Sequence, residues 1–230
     1  ECVRRFAGRV AVMVEQTHAV NRGLLWAEFA ALYIGAPLGI AVFMPGNLLF
    51  PALAVFSIAG MALLWRTGGF DWHSLIRGWR RVPLWQVVLF GLITGLAGWA
   101  IIQIARPDYA RPLTPERLRF LGVIWLLYPI LSALPQELIF RPLFFHRFGS
   151  LFPDRGTAVA VNAFVFSFAH LMYWSVVVAV LTLIGGWIFA RAYLIRGFPS
   201  AWILHGIAGN VLFTVGMGAY FWSGAVVRPF

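Results

Sequence analysis

The chain has 230 residues, 61% of them hydrophobic and 11% charged, against roughly 45–50% and 25% in ordinary soluble domains. Its formal net charge is +10, and all 18 basic residues are arginine. The apolar excess excludes an ordinary soluble domain, and the placement of the charge excludes a nucleic-acid binder. The arginines sit mostly in short loops between apolar runs, where they orient a chain in a bilayer, and no stretch alternates basic with aromatic residues. One cysteine, Cys2, excludes an intrachain disulfide and a cysteine-built metal site. The expected fold is an all-α, multi-pass transmembrane bundle of about seven spans, several of them near or beyond the roughly 18 apolar residues a spanning helix needs.

Residues 1–22 mix Arg4, Arg5, Arg9 and Arg22 with Val10, Val12, Met13 and Val14, the pattern of an amphipathic segment lying on a membrane surface. The rest, 23–230, forms the membrane domain. Its first span, Leu24–Met44, is too long and too deep in the chain for a cleavable signal peptide. Glu28 near its start reaches the interface. Pro45-Gly46-Asn47 turns the chain into span two, Leu48–Trp65. The loop from Arg66 to Pro83 mixes arginines with Trp72, His73 and Trp79, as a headgroup layer favours. Span three, Leu84–Ala105, carries Gly91, Gly95 and Gly98 on one side for a close helix contact. Thr114-Pro115-Glu116 is a helix start: threonine cap, proline at the first position, then an acid.

Span four begins near Leu118 and continues to about Phe148, longer than a bilayer is thick. Pro135 and Pro142 are expected to kink it. After a turn at Ser150–Gly156 come span five, Thr157–Met172, span six, Val176–Ile195, and span seven, Pro199–Trp222. Seven spans put Arg4, Arg5, Arg9, Arg22, Arg66, Arg77, Arg80, Arg81, Arg147, Arg155, Arg191 and Arg196 on one side. Arg106, Arg111, Arg117, Arg119 and Arg228 fall on the other. The bias predicts a cytoplasmic N-terminus.

Three later spans are interrupted by groups capable of proton chemistry. Span four holds Pro135-Gln136-Glu137-Leu138-Ile139-Phe140-Arg141. Glu137 and Arg141 are four apart and share a helix face. Span five ends in Phe166-Ser167-Phe168-Ala169-His170, and span seven carries His205 and Asn210. A single histidine on an apolar face is more often a satisfied core residue than a catalyst, and an isolated Glu–Arg pair can be mere neutralisation. Charges inside spans are costly, however, and face a protein interior or a wet cavity. Glu137, His170 and His205 together are equipment for amide hydrolysis. A carboxylate beside a histidine can take a proton from water, and a second histidine and an amide can donate to a developing oxyanion. Two histidines and a glutamate also form a catalytic zinc set, but no His-Glu-x-x-His spacing occurs, so no cofactor is expected.

The order and spacing of these groups resemble the CPBP family: the type II (Rce1-like) CAAX prenyl proteases and their bacterial relatives, bacteriocin-immunity proteins among them. The family pattern is Glu-Glu-x-x-x-Arg, then Phe-x-x-x-His, then His-x-x-x-Asn. Gln136 to Arg141 matches the first motif except at its first position, and Phe166 to His170 matches the second in full. His205 opens the third, but Gly209 stands at its last position and Asn210 follows. The resemblance covers about residues 120–215, placing a CPBP-like core at about 118–222. It implies a glutamate-dependent intramembrane endopeptidase of a bacterial cell membrane, acting on a membrane-associated or lipidated protein or peptide.

On that footing Glu137 is expected to be the base, assisted by His170. His205 and Asn210 would stabilise the oxyanion, Asn210 through a local bulge after Gly209. Arg141 would fix Glu137, and Gln136 would orient water or substrate. In the family the leading acid of the pair is thought to activate water, and Gln136 stands there. A non-catalytic membrane scaffold or immunity protein is therefore the alternative, and a small proton relay a third. Depth is a tension as well. His205 lies about 9 Å into span seven and His170 about 20 Å along span five from the same face, by helical rise.

Overall fold

The computed structural model describes residues 22–79, 82–110 and 112–221. The expected surface segment at 1–22, Arg22 excepted, lies outside the described residues, as do Arg80, Arg81, Arg111 and Arg228. Among those described every regular element is helical. They are α1 (Arg22–Phe43), α2 (Leu49–Thr67), α3 (Leu84–Ala105), α4 (Pro115–Leu151), α5 (Arg155–Phe168), α6 (Val176–Arg196), α7 (Phe198–Thr214) and the short α8 (Gly218–Phe221). The segments containing α1 to α6 are each long and apolar enough to cross a membrane. The expected seventh span is α7, 17 residues long. It is the central helix, buried nearly all round, with Phe198, Ala201, Leu204, Ala208 and Leu212 in the interior. A helix apolar on every side is a core helix, and α7 packs on α3, α4 and α6.

The outer helices are apolar toward the outside. Leu89, Leu92, Ile93, Leu96 and Trp99 of α3 are exposed, a surface that lipid tails cover without cost. The opposite side of α3 meets α7 through its glycines. A Cβ on Gly95 would stand 3.1 Å from Val211, and one on Gly98 would stand 2.8 Å from Leu212. Small residues let the two backbones approach this closely.

Span seven was expected to run to Trp222, but α7 stops at Thr214. Gly216 has φ +99°, its N–H donates to Phe213 O, and the N–H of Met217 donates to Leu212 O at 2.9 Å. These two bonds make a Schellman cap, with glycine at the one position that needs a left-handed backbone. The starts obey the sequence signals. Thr114 accepts from the N–H of Arg117, with Pro115 first in α4. Asp154 accepts from both the backbone and the hydroxyl of Thr157 at the start of α5. The Thr157 hydrogen bonds hold the Asp154 carboxyl below its usual range.

Helix α4 departs from expectation in a way that shapes the site. Pro135 sits in the first turn of an α-helical stretch, Leu134–Leu138. Widened π turns lie on either side, Pro129–Ala133 and Ile139–Phe148, the second containing Pro142. Proline brings no N–H to the ladder, and a wider turn absorbs the missing donor without breaking the rod. Carbonyls loosened in this way need partners inside a membrane. Ile139 O accepts from the hydroxyl of Tyr33 on α1 at 2.8 Å, and Phe140 O accepts from Asn162 of α5 at 2.6 Å. An aromatic core of Phe29, Tyr33, Phe144 and Phe148 locks α1 to α4.

One end of the bundle is tied by charge. Glu28 of α1 accepts from Arg147 Nε at 2.9 Å, and Arg147 Nη1 donates to Thr67 Oγ1 of α2 at 2.8 Å. Partly sheltered, charge-assisted bonds of this kind contribute more than an exposed ion pair. Arg147→Met should cost about 1–3 kcal/mol, read as a lower unfolding temperature in detergent. Glu28→Gln, which keeps an acceptor, should cost less.

Candidate active site

Four helices, α4, α5, α6 and α7, converge on the middle of the bundle. Glu137, on the α-helical stretch of α4, is 0% exposed, as is Arg141 one turn later. Arg141 Nε donates to Glu137 Oε2 at 2.8 Å, and its Nη2 donates to Oε1 at 3.2 Å. The same guanidinium donates to Asn162 Oδ1 of α5, whose amide nitrogen holds Phe140 O. Glu137 Oε1 also faces His205 Nδ1 at 2.9 Å. An ionised carboxylate only accepts, so Nδ1 carries the proton, and in the neutral tautomer Nε2 is then the acceptor nitrogen. His205 Nε2 lies 3.2 Å from the hydroxyl of Tyr128. The imidazole stacks on Phe189 of α6, with centroids 5.0 Å apart.

His170 stands just past the end of α5, and its Nδ1 is 2.7 Å from Phe166 O. A carbonyl only accepts, so here too Nδ1 holds the proton and Nε2 the lone pair. The depth tension is resolved by one side chain. The ring of Phe166 lies 4.8 Å from the His170 ring and 5.5 Å from the His205 ring, centroid to centroid. Gln136 Nε2 donates to Ser132 Oγ at 3.1 Å.

A cavity of about 1190 Å3 opens among these helices. Gln136, His170, His205, Tyr128, Phe166 and Phe189 line it, and most of its remaining wall is aliphatic or aromatic. Glu137 lies behind this wall. Its contacts with Arg141 and His205 occupy both carboxylate oxygens. The residue expected to meet water is therefore enclosed, and its neighbour Gln136 is the one that reaches the cavity. Adjacent helical positions diverge by about 100°, and the widened turns of α4 do not bring the two to one face.

Asn210 was expected to swing inward through a bulge after Gly209. The helix is regular there, and the Asn210 amide donates to Trp125 O of α4 at 3.1 Å, with its oxygen buried and unpartnered. It braces two helices. The sequence reading overlooked Asn162, Tyr128 and Phe189. An asparagine inside an apolar span was a signal for the first; no spacing pointed to the other two.

The donor set does not fit a metal ion. Both nitrogens of His205 are engaged, and so are both oxygens of Glu137. Among the described residues no three His, Cys, Asp or Glu side chains are grouped to hold one. The chemistry open to the site is that of its own side chains: one imidazole with a lone pair toward a low-dielectric cavity, one amide, and a hydroxyl–imidazole–carboxylate chain anchored by an arginine.

Residues 119–221 match the family model of the type II CAAX prenyl endopeptidase, Rce1-like. No curated protein and no solved structure gives a match. The matched residues, less than half of the chain, hold Glu137, Arg141, His170 and His205 and exclude α1 to α3, so the apolar helices that surround the buried ion pair are similar to an Rce1-like domain of the type II CAAX prenyl endopeptidases.

Proposed function

We propose that the chain is an intramembrane endopeptidase that cleaves a membrane-associated or lipidated protein, with His170 as the base that activates water. The observation that carries this is the 2.7 Å contact between His170 Nδ1 and Phe166 O at the wall of the cavity. The Nδ1 proton is committed to Phe166 O, which leaves the basic nitrogen of a cavity-lining imidazole for the reaction. Gln136 spends its amide nitrogen on Ser132 and keeps an oxygen to accept from the same water. The water oxygen attacks the scissile carbonyl carbon while His170 takes the proton. His170 then returns it to the leaving amine as the C–N bond breaks. Glu137 and Arg141 are positioning residues that fix the orientation and tautomer of His205. The apolar walls suit a hydrophobic or lipid-bearing segment. The arginine-rich end faces the cytoplasm in this reading, with the N-terminus inside.

One observation favours a second reading, a non-catalytic member that binds its partner. The cavity presents an amide at Gln136, and the carboxylate next to it in the chain, Glu137, is sealed in an ion pair with Arg141. Cleavage of a lipidated C-terminal peptide by the detergent-purified chain, with and without chelator, separates the two. The peptidase reading expects cleavage that survives chelation, substantial activity in Gln136→Ala, and faster turnover in Gln136→Glu. A wild type that cleaves nothing, beside a Gln136→Glu variant that does, would replace it with the binding reading.

A further inference from the structure

We infer that Tyr128 is a catalytic residue of this chain: its hydroxyl donates to the carbonyl oxygen of the scissile bond as that oxygen gains charge. The inference rests on the peptidase reading and names a group which neither the sequence motifs nor that reading assigns.

Position 209 is the starting point. It lies one turn beyond His205 and on the same face of α7, so a side chain there would project beside the imidazole. It is glycine, and the structure gives the reason. A Cβ on Gly209 would stand 2.0 Å from Tyr128 Cε1, 2.2 Å from its Cζ and 2.6 Å from its hydroxyl oxygen. The tyrosine ring fills the place that the residue at 209 would occupy. It brings its hydroxyl to His205 Nε2, and both residues line the cavity. The sequence pattern expects an amide at this point in space, and a phenol from a different helix stands there instead.

The ring is held on both flanks. Its centroid is 5.9 Å from that of Phe213, one turn past Gly209, and 6.1 Å from that of His205. Tyr128 ends the first α-helical stretch of α4, and the widened turn begins at Pro129. Trp202 of α7 ties down that junction by donating to Pro129 O at 2.7 Å. A donor fixed by packing costs little to orient when the reaction needs it.

The hydroxyl has one proton to give. In the free protein Nδ1 of His205 is held protonated by Glu137, so Nε2 is the acceptor and the Tyr128 proton points to it. When water adds to the bound carbonyl, the C=O π electrons move to oxygen and an oxyanion forms within the cavity. A charged oxygen is a far stronger acceptor than a neutral imidazole. The hydroxyl turns to it while the chain of Glu137 and His205 keeps the phenol in place. The bond is strong only as charge develops, which is the kind of contact that lowers a barrier instead of tightening the ground state. On collapse the oxyanion reforms the C=O bond, the amine leaves with the proton from His170, and Tyr128 turns back to His205.

The test compares kcat and KM on one lipidated peptide, in detergent, for four chains besides wild type: Tyr128→Phe, Tyr128→Ala, Gly209→Asn and the pair Tyr128→Ala/Gly209→Asn. Tyr128→Phe keeps the ring and its packing, so unfolding temperature and KM should hold while kcat falls about 10²–10³-fold, the usual effect of removing one oxyanion donor. Gly209→Asn alone drives a side chain into the phenol and should lose both stability and activity. The pair removes the ring and supplies an amide on the His205 face, and it should turn over faster than Tyr128→Ala. An undiminished kcat in Tyr128→Phe, beside an active wild type, would remove Tyr128 from the mechanism and leave the peptidase reading standing. A pair no better than Tyr128→Ala would overturn the claim that the hydroxyl occupies the place of an amide. A wild type that cleaves nothing would remove the peptidase reading and this role with it.

Discussion

Arg141→Met should destabilise the chain by about 3–5 kcal/mol, the usual result of stripping one partner from a buried ion pair. The guanidinium gives two hydrogen bonds to Glu137, one to Asn162 and a longer one to Phe140 O, and none of its surface is exposed. Methionine fills much of the volume but leaves a carboxylate in a low-dielectric interior with His205 as its one remaining donor. Removing both charges should hurt less than the single changes suggest, since a neutral pair has no desolvation to offset. A double-mutant cycle with Glu137→Gln, followed by thermal unfolding in detergent, measures the coupling directly. Additive losses would mean that the two side chains do not act as a unit. The same cycle run on cleavage separates positioning from chemistry. Glu137→Gln can still accept from His205 Nδ1 through its amide oxygen, so it should keep more activity than Glu137→Ala.

His170→Ala should lower kcat by about 10²–10⁴-fold, the range for loss of a general base, with little change in KM or unfolding temperature. The reason for the small structural effect is local. His170 lies beyond the last turn of α5, and its one side-chain hydrogen bond goes to Phe166 O in its own chain segment, so truncation leaves no buried charge behind. Arg141 carries the opposite combination: a large loss of stability, with activity lost only through the fold and His205. If His170→Ala cleaves as fast as wild type, the water is activated elsewhere, and the sealed carboxylate of Glu137 would have to open to reach it.

Much of the architecture could be read before any coordinates. Arginine-bearing loops between apolar runs gave the spans. The threonine–proline–glutamate start of α4 and the glycines of α3 gave a boundary and a helix contact, because each depends on residues within a few positions of one another. The pairing of Glu137 with Arg141 was legible too, since four residues along a helix is one face. His170 and His205 could be named as partners of that pair but not placed, because their depths along α5 and α7 disagreed by helical rise.

The sequence by itself determined that the chain is a helical membrane bundle with one acid, one arginine and two imidazoles inside it. What it could not determine is which of these face water. Facing depends on the rotation of α4 about its own axis, and the widened turns around Pro129 and Pro142 set that rotation through partners on α1, α5 and α7. The tertiary structure alone decided that Glu137 lies behind the wall and Gln136 in it, that Asn210 braces α4, and that a tyrosine from α4 fills the space left by Gly209. Each of these is a contact between helices far apart in the chain, and side-chain volume, not local spacing, selects it.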